Sequence, residues 1–290
     1  MSVVFLNGEL LPSDQAKISV FDRGFLLGDG VYEVIPAYSG VLFRLDEHLQ
    51  RLQNSLDEIR LDNPYVYDEW VAMLNRLVAK NYASDLSVYL QVTRGIAVRA
   101  HAFPADIKPT VFAMTNPITP LSESYYEQGV ACVTVEDNRW TRCNVKAISL
   151  LPNVLLHQQA VDQGAIEAIL CRKGHITEGA ACNIFAVFGN ELATPPKSAE
   201  LLPGITRDLI LELAQENGIQ TSECEITLEE FKLADEVWLT SSTKEILPVT
   251  KLNDQPVGDG KPGKVFQAMR EIYKAYKQKL HAQEQLQVRN

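Results

Sequence analysis

A lysine becomes a nucleophile when its ammonium loses solvation. The run Trp140-Thr141-Arg142-Cys143-Asn144-Val145-Lys146 sets Lys146 in a largely apolar neighbourhood, between a strand pattern and a helix pattern. Thr177-Glu178-Gly179 follows the hairpin-like Cys171-Arg172-Lys173-Gly174-His175, and its carboxylate suits a protonated ring nitrogen or a turn cap. Pro203-Gly204-Ile205-Thr206-Arg207 opens a helix pattern, where free backbone N–H groups and the helix dipole attract an anion. Thr240-Ser241-Ser242-Thr243 gathers hydroxyls at a strand end, suited to a phosphate or to a turn. Arg99 and His101 stand two apart in a segment that Pro104 keeps from helix, so both side chains point one way and suit a carboxylate. Taken singly, each group also reads as a solvated lysine, a cap, a turn or a surface loop. Together, an amine, a carboxylate, a helix-start anion cup and a hydroxyl loop are the parts of a pyridoxal phosphate site.

Other glycine-rich runs point less far. Phe21-Asp22-Arg23-Gly24-Phe25-Leu26-Leu27-Gly28-Asp29-Gly30 packs three glycines into seven residues and implies unusual dihedrals held by Asp and Arg side chains, as in a tight connection between strands. Gly28-Asp29-Gly30 begins like a dinucleotide fingerprint, but Glu33 replaces the third glycine and a strand pattern follows where a helix is required. Gly258 to Lys264 spells GxxxxGK, but Val265 lacks the magnesium-holding hydroxyl and Pro262 stands in the cradle. Both read as turns.

The elements that must position these groups are legible in the periodicity. Asn7-Gly8 between apolar residues predicts a hairpin, and Val31–Tyr38 and Val41–Arg44 predict two further strands. Leu45, Leu49, Leu52, Leu56 and Ile59 fall at helical spacing, with Asp46 placed to cap the start. A second helix is expected near 68–81, and strands over Leu86–Thr93 and Thr110–Asn116. Asn116-Pro117-Ile118-Thr119-Pro120 carries two prolines in five residues and reads as a linker. Beyond it come a short helix, the strand Val130–Val135, a helix near 153–163 ending at Gly164, strands at Ile166–Cys171 and Ile184–Phe188, and a helix over 205–217. Thr227-Leu228-Glu229-Glu230 is a capping box, Glu236–Thr240 a strand, and a last helix begins near Lys264. The pattern predicts an α/β chain of the α+β type, with mixed or antiparallel sheets and flanking helices. It divides into a smaller domain over 1–118 and a larger one over 119–290, the second carrying Lys146.

Composition narrows the class of partner. The 290 residues suit one large or two modest domains, with 46% hydrophobic and 22% charged residues, as in ordinary globular chains. The 27 basic and 37 acidic residues give a net charge of −10, which argues against nucleic acid and acidic membranes. Five cysteines with no CxxC or zinc spacing predict free thiols, no metal and a cytoplasmic location. No leader and no membrane-spanning run is expected.

The runs DRGFLLGDGVYEVI, QVTRGIAVRAHAFP, VEDNRWTRCNVKAISLLPNVL, ITEGAACNIF, LPGITRD and VWLTSSTKEILPV resemble the fold-type IV pyridoxal phosphate enzymes, from Phe5 to about Pro248. That family contains D-amino acid aminotransferases, branched-chain aminotransferases and aminodeoxychorismate lyases, and Arg99-Ala100-His101 is most similar to the first. The resemblance implies ping-pong transamination between a D-amino acid and a 2-oxo acid through a Lys146 aldimine, with the cofactor in an interdomain cleft. It further implies that Glu178 pairs with the pyridine nitrogen and that Leu202 lies against the ring. It also implies that Arg51, the backbone of Ile205 and Thr206, and Ser242 hold the phosphate, that Ser241 is a further cofactor-binding residue, and that Tyr32, Arg99 and His101 hold the substrate carboxylate. In the family the Arg and His come from the partner subunit, so a homodimer is implied. Pyruvate elimination, other transaminations and silent cofactor binding stand as alternatives. One departure bears on substrate range: Ala180-Ala181-Cys182 replaces the serine run that can follow Glu-Gly in D-amino acid aminotransferases.

Overall fold

The structure is a computed structural model, and it describes residues 2–81 and 85–287. The chain forms two compact units, one of residues 1–119 with 145–150, the other of 120–144 with 151–290.

The first unit is built on a six-stranded antiparallel sheet. Its strands are β1 (Val3–Leu6), β2 (Glu9–Pro12), β3 (Gly30–Tyr38), β4 (Val41–Leu42), β5 (Asp85–Thr93) and β6 (Thr110–Pro117), ordered β2-β1-β6-β5-β3-β4. The β1–β2 hairpin turns at Asn7 and Gly8, both at positive φ (49° and 102°), the conformation that Asn-Gly adopts most readily. Helices α2 (Leu45–Glu58) and α3 (Tyr67–Lys80) cover one face, where Leu49, Leu52, Leu56, Trp70, Leu74 and Leu77 bury against Val31, Ile35, Val88 and Leu90. Helix α2 starts differently from the sequence expectation. Arg44, at φ 52°, stands at its N-cap without a capping side-chain bond and ion-pairs Glu47 instead, and Asp46 lies in the first turn, accepting the Tyr67 hydroxyl.

The glycine-rich run after Phe21 is more than a connection between strands, because it contains the five-residue helix α1 (Arg23–Leu27). Asp22 Oδ1 accepts the Gly24 N–H at 2.8 Å to open it, and Gly28, at φ 66°, closes it.

Residues 145–150 pack with the first unit, whereas the sequence reading placed Lys146 in the second. The reason is an open sheet edge. β4 pairs only with Ala37 and Tyr38, so the leading half of β3 is uncovered there. The segment fills it: Tyr32 N–H donates to Lys146 O at 2.9 Å, Ile148 N–H to Gly30 O at 3.1 Å, and Val31 bridges Ala147.

The second unit holds a nine-stranded mixed sheet. Its strands are β7 (Val130–Glu136), β8 (Glu167–Arg172), β9 (His175–Gly179), β10 (Asn183–Phe188), β11 (Glu191–Thr194), β12 (Gln220–Glu223), β13 (Glu236–Ser241), β14 (Glu245–Leu252) and β15 (Gln255–Pro256). The order is β12-β11-β10-β13-β14-β7-β8-β9, with β15 on β14, and β7 runs parallel to both neighbours. Its helices are α4 (Glu123–Gln128), α5 (Leu151–Asp162), α6 (Ile205–Glu216), α7 (Leu228–Phe231) and α8 (Lys264–Gln287). The expected capping box opens α7: Thr227 Oγ1 accepts the Glu230 N–H and the Glu230 carboxylate accepts the Thr227 N–H. No helix among the described residues is long and apolar enough to cross a membrane.

Candidate active site

In the first unit the decisive element is α2. Beside its buried leucines it buries a second stripe, His48, Arg51 and Ser55, three and four residues apart and so on one face. This stripe meets β3 and the Lys146 segment. Arg51 donates to Glu33 through Nε and Nη2, both at 2.8 Å, and His48 Nδ1 lies 2.8 Å from the same carboxylate. Burial works to raise the Glu33 carboxyl, but Arg51 and His48 outweigh it and hold the group ionised, well below the usual carboxylate range. Burial lowers His48 more than Glu33 raises it, and Arg51 and Lys146 push the same way; facing an ionised carboxylate that can only accept, Nδ1 is the donor.

Ser55 Oγ accepts the Lys146 N–H at 3.3 Å, and the Lys146 amine stands 4.2 Å from the centroid of the Tyr32 ring, on which Tyr89 stacks at 5.6 Å. The structure thus gathers three residues singled out in the sequence: Lys146, Tyr32 and Arg51. It adds Glu33, His48 and Ser55, which sequence reasoning missed. The 48/51/55 spacing was the available signal for two of them. Arg99 and His101 are exposed on the loop between β5 and β6 and have no polar partner among the described residues.

In the second unit Glu178 ends up at the centre of a polar network. Its Oε1 accepts from Arg139 Nη1 at 2.6 Å, and its Oε2 accepts the Leu202 N–H at 3.0 Å, with Asn183 Nδ2 at 3.4 Å. Arg139 is itself clamped by Asp137, through Nε at 2.9 Å and Nη2 at 3.0 Å, and Arg172 reaches Asp137 Oδ1 at 3.0 Å. Burial pushes the Glu178 carboxyl up to about 7, although Arg139 and the Leu202 N–H favour its anion. Arg139, Asp137 and Asn183 were not foreseen, because no local pattern marks them.

Asn183 also donates to Leu202 O at 2.9 Å, and its Oδ1 packs where a Cβ on Gly204 would stand. This ties the carboxylate to the loop entering α6. That twelve-residue helix starts at Gly204 without a capping side chain, with Ile205 and Thr206 buried in its first turn. Thr240 pairs with Asn183 across β13 and β10, so Ser241 and Ser242 follow immediately beyond that pair. Glu178, Leu202, Ile205, Thr206, Ser241 and Ser242 therefore cluster at one end of the second sheet.

The amino-transferase class IV family matches residues 30–252. The chain belongs to this family. The class IV aminotransferase is 43% identical over 263 residues to the D-alanine aminotransferase of Bacillus licheniformis, spanning 91% of this chain and 92% of that one. Among solved structures it is similar to the Escherichia coli branched-chain amino acid aminotransferase (TM-score 0.89, 29% identity, 94% of each chain). It is also similar to the branched-chain aminotransferase of Thermoproteus uzoniensis with norvaline (TM-score 0.84, 28% identity, 94% and 93% of the chains).

The residues of this aminotransferase fit pyridoxal 5'-phosphate. The first unit offers a half-buried primary amine and an arginine. The second offers a carboxylate that titrates near 7, the affinity needed to share a proton with a pyridine nitrogen, beside an uncapped helix start and a hydroxyl turn.

Proposed function

We propose that the protein transfers the amino group between a D-amino acid such as D-alanine and a 2-oxo acid such as 2-oxoglutarate, using pyridoxal 5'-phosphate. The observation that carries the substrate class is its likeness to the Bacillus licheniformis D-alanine aminotransferase along nearly the whole chain.

When bound, the cofactor supplies an electron sink that lets the substrate Cα–H bond break. Lys146 would hold it through Nζ and is the amine placed to move the proton at the substrate Cα. Ser55 and the β3 edge fix the backbone from which Lys146 reaches. Glu178 holds the ring-nitrogen proton, and Arg139 and the Leu202 N–H orient its carboxylate. Arg51, the first-turn N–H groups of Ile205 and Thr206, and the hydroxyls of Ser241 and Ser242 bind the phosphate. Leu202 would pack against the ring. Tyr32, Arg99 and His101 bind the substrate carboxylate.

The protein acts as a cytoplasmic homodimer in which Arg99 and His101 complete the partner's site. Their exposure supports this, as do the exposed apolar Ile96 and Val98 beside them. A second reading, transamination of branched-chain L-amino acids, is favoured by the likeness to the Escherichia coli enzyme. Single-turnover absorbance with D-alanine and with L-leucine separates the two. Conversion by D-alanine alone supports the main reading, and conversion by L-leucine alone overturns it.

A further inference from the structure

We propose that Arg23 and Asp29 are positioning residues for the substrate carboxylate, acting through the loop that carries Arg99 and His101. The proposal rests on the assignment of those two side chains to the carboxylate.

The loop between β5 and β6 has little to hold it. One bridge, Asp22 to Ile96, attaches its start, and Arg99, Ala100, His101 and Ala102 are all exposed. Yet Arg23 is buried and donates from Nη1 to Ala100 O at 2.6 Å and to Ala102 O at 3.4 Å. One nitrogen therefore grips the backbone on both sides of His101, and the first of those carbonyls follows Arg99 directly. Two bonds to one peptide stretch fix its orientation as well as its position, which a single bond cannot do.

The grip is anchored from behind. Arg23 Nε and Arg94 Nε both donate to Asp29 Oδ2 at 2.8 Å. Arg94 donates onward to Ile59 O at 2.7 Å and Arg60 O at 3.2 Å, and its guanidinium lies 3.7 Å above the Phe103 ring, two residues beyond His101. Asp29 is thus the shared counter-charge of two buried arginines, one holding the backbone on both sides of His101 and the other the Phe103 ring just beyond it. Burying such a network adds little stability compared with an apolar core, but it selects one geometry. That geometry fixes where Arg99 and His101 point. It also gives the Asp-Arg-Gly run of the sequence a task beyond capping α1.

A clamp that grips the carboxylate equally before and during reaction contributes uniform binding, so loosening it raises KM more than it lowers kcat. The test uses the holoenzyme and Arg23→Met, Asp29→Asn, Arg23→Lys, Phe103→Ala and Arg99→Ala. Arg23→Met and Asp29→Asn should raise KM for D-alanine, and the Kd of the unreactive carboxylate propionate, about tenfold, with kcat changing less than about threefold. Amide exchange across residues 96–103 should speed up while bound cofactor content stays constant. Arg23→Lys keeps one donor and should recover part of the loss. Phe103 is half exposed, so Phe103→Ala tests the anchor without a folding risk, and it should raise KM about two- to threefold. If Arg99→Ala raises KM and neither Arg23→Met nor Phe103→Ala does, the positioning role is overturned while the carboxylate assignment stands. If Arg99→Ala itself leaves KM and propionate binding unchanged, the assignment and the proposal fall together.

Discussion

Glu33 and Arg51 face each other in a two-point ion pair, Oε1 with Nε and Oε2 with Nη2, each 2.8 Å long and both side chains buried. Removing one charge leaves the other buried without this two-point partner. Glu33→Gln should destabilise the protein without cofactor by about 3–5 kcal/mol. A phosphate at Arg51 restores a counter-charge, so thermal unfolding with and without pyridoxal 5'-phosphate should show a smaller deficit in the loaded protein. An equal deficit in both forms contradicts the phosphate role of Arg51.

The Glu178 carboxyl, at about 7 against 4.5 for an unburied one, makes a pH prediction for the cofactor-free protein. Because its folded-state value is raised, the folded state holds the proton more tightly. The contribution is fully present below the unfolded value and is lost as pH rises from about 4.5 to about 7. His48, lowered by burial, gives the opposite slope as pH falls below its ordinary value, so the comparison must be with a variant. The stability difference between the wild-type protein and Glu178→Gln, followed by urea unfolding, should shift against wild type across that window and flatten above it. A difference independent of pH shows that Glu178 titrates at an ordinary carboxyl value.

Lys146→Ala removes the only group assigned to both cofactor anchoring and proton transfer. Transamination should fall by several orders of magnitude. Borohydride treatment of the loaded protein should add the mass of a reduced pyridoxyl phosphate to wild type and nothing to the variant. A retained adduct places the anchoring amine elsewhere.

Gly204→Ala tests the link between the carboxylate and the helix start. The backbone there, at φ −74°, accepts any residue, so the effect is purely steric: the new Cβ runs into Asn183 Oδ1. Asn183 holds Leu202 O and approaches Glu178, so the shift should propagate to both. An overpacking cost of about 1–3 kcal/mol is expected, with weaker cofactor binding measured by fluorescence titration. Unchanged affinity at unchanged stability means that the loop yields without moving the cup.

The sequence alone located most elements and singled out the parts of the proposed site, for reasons that act over a few residues. Asn7-Gly8 marks its turn because both positions need positive φ, and the leucines of α2 mark its apolar face by period. The helix start at Gly204 and the capping box at Thr227 are equally local. The order of the resembling motifs along the chain pointed to the chemistry of Lys146 and Glu178. Which charges meet was decided only in three dimensions. His48 joins Glu33 across 15 residues, Arg139 joins Glu178 across 39, and Arg23 reaches Ala100 across 77. No periodicity encodes such pairs, because sheet register and helix packing bring them together after the local rules are spent. Lys146 is the clearest instance. Its neighbours in sequence belong to one unit, but the uncovered edge of β3 has backbone donors and acceptors to satisfy, and it draws residues 145–150 to the other.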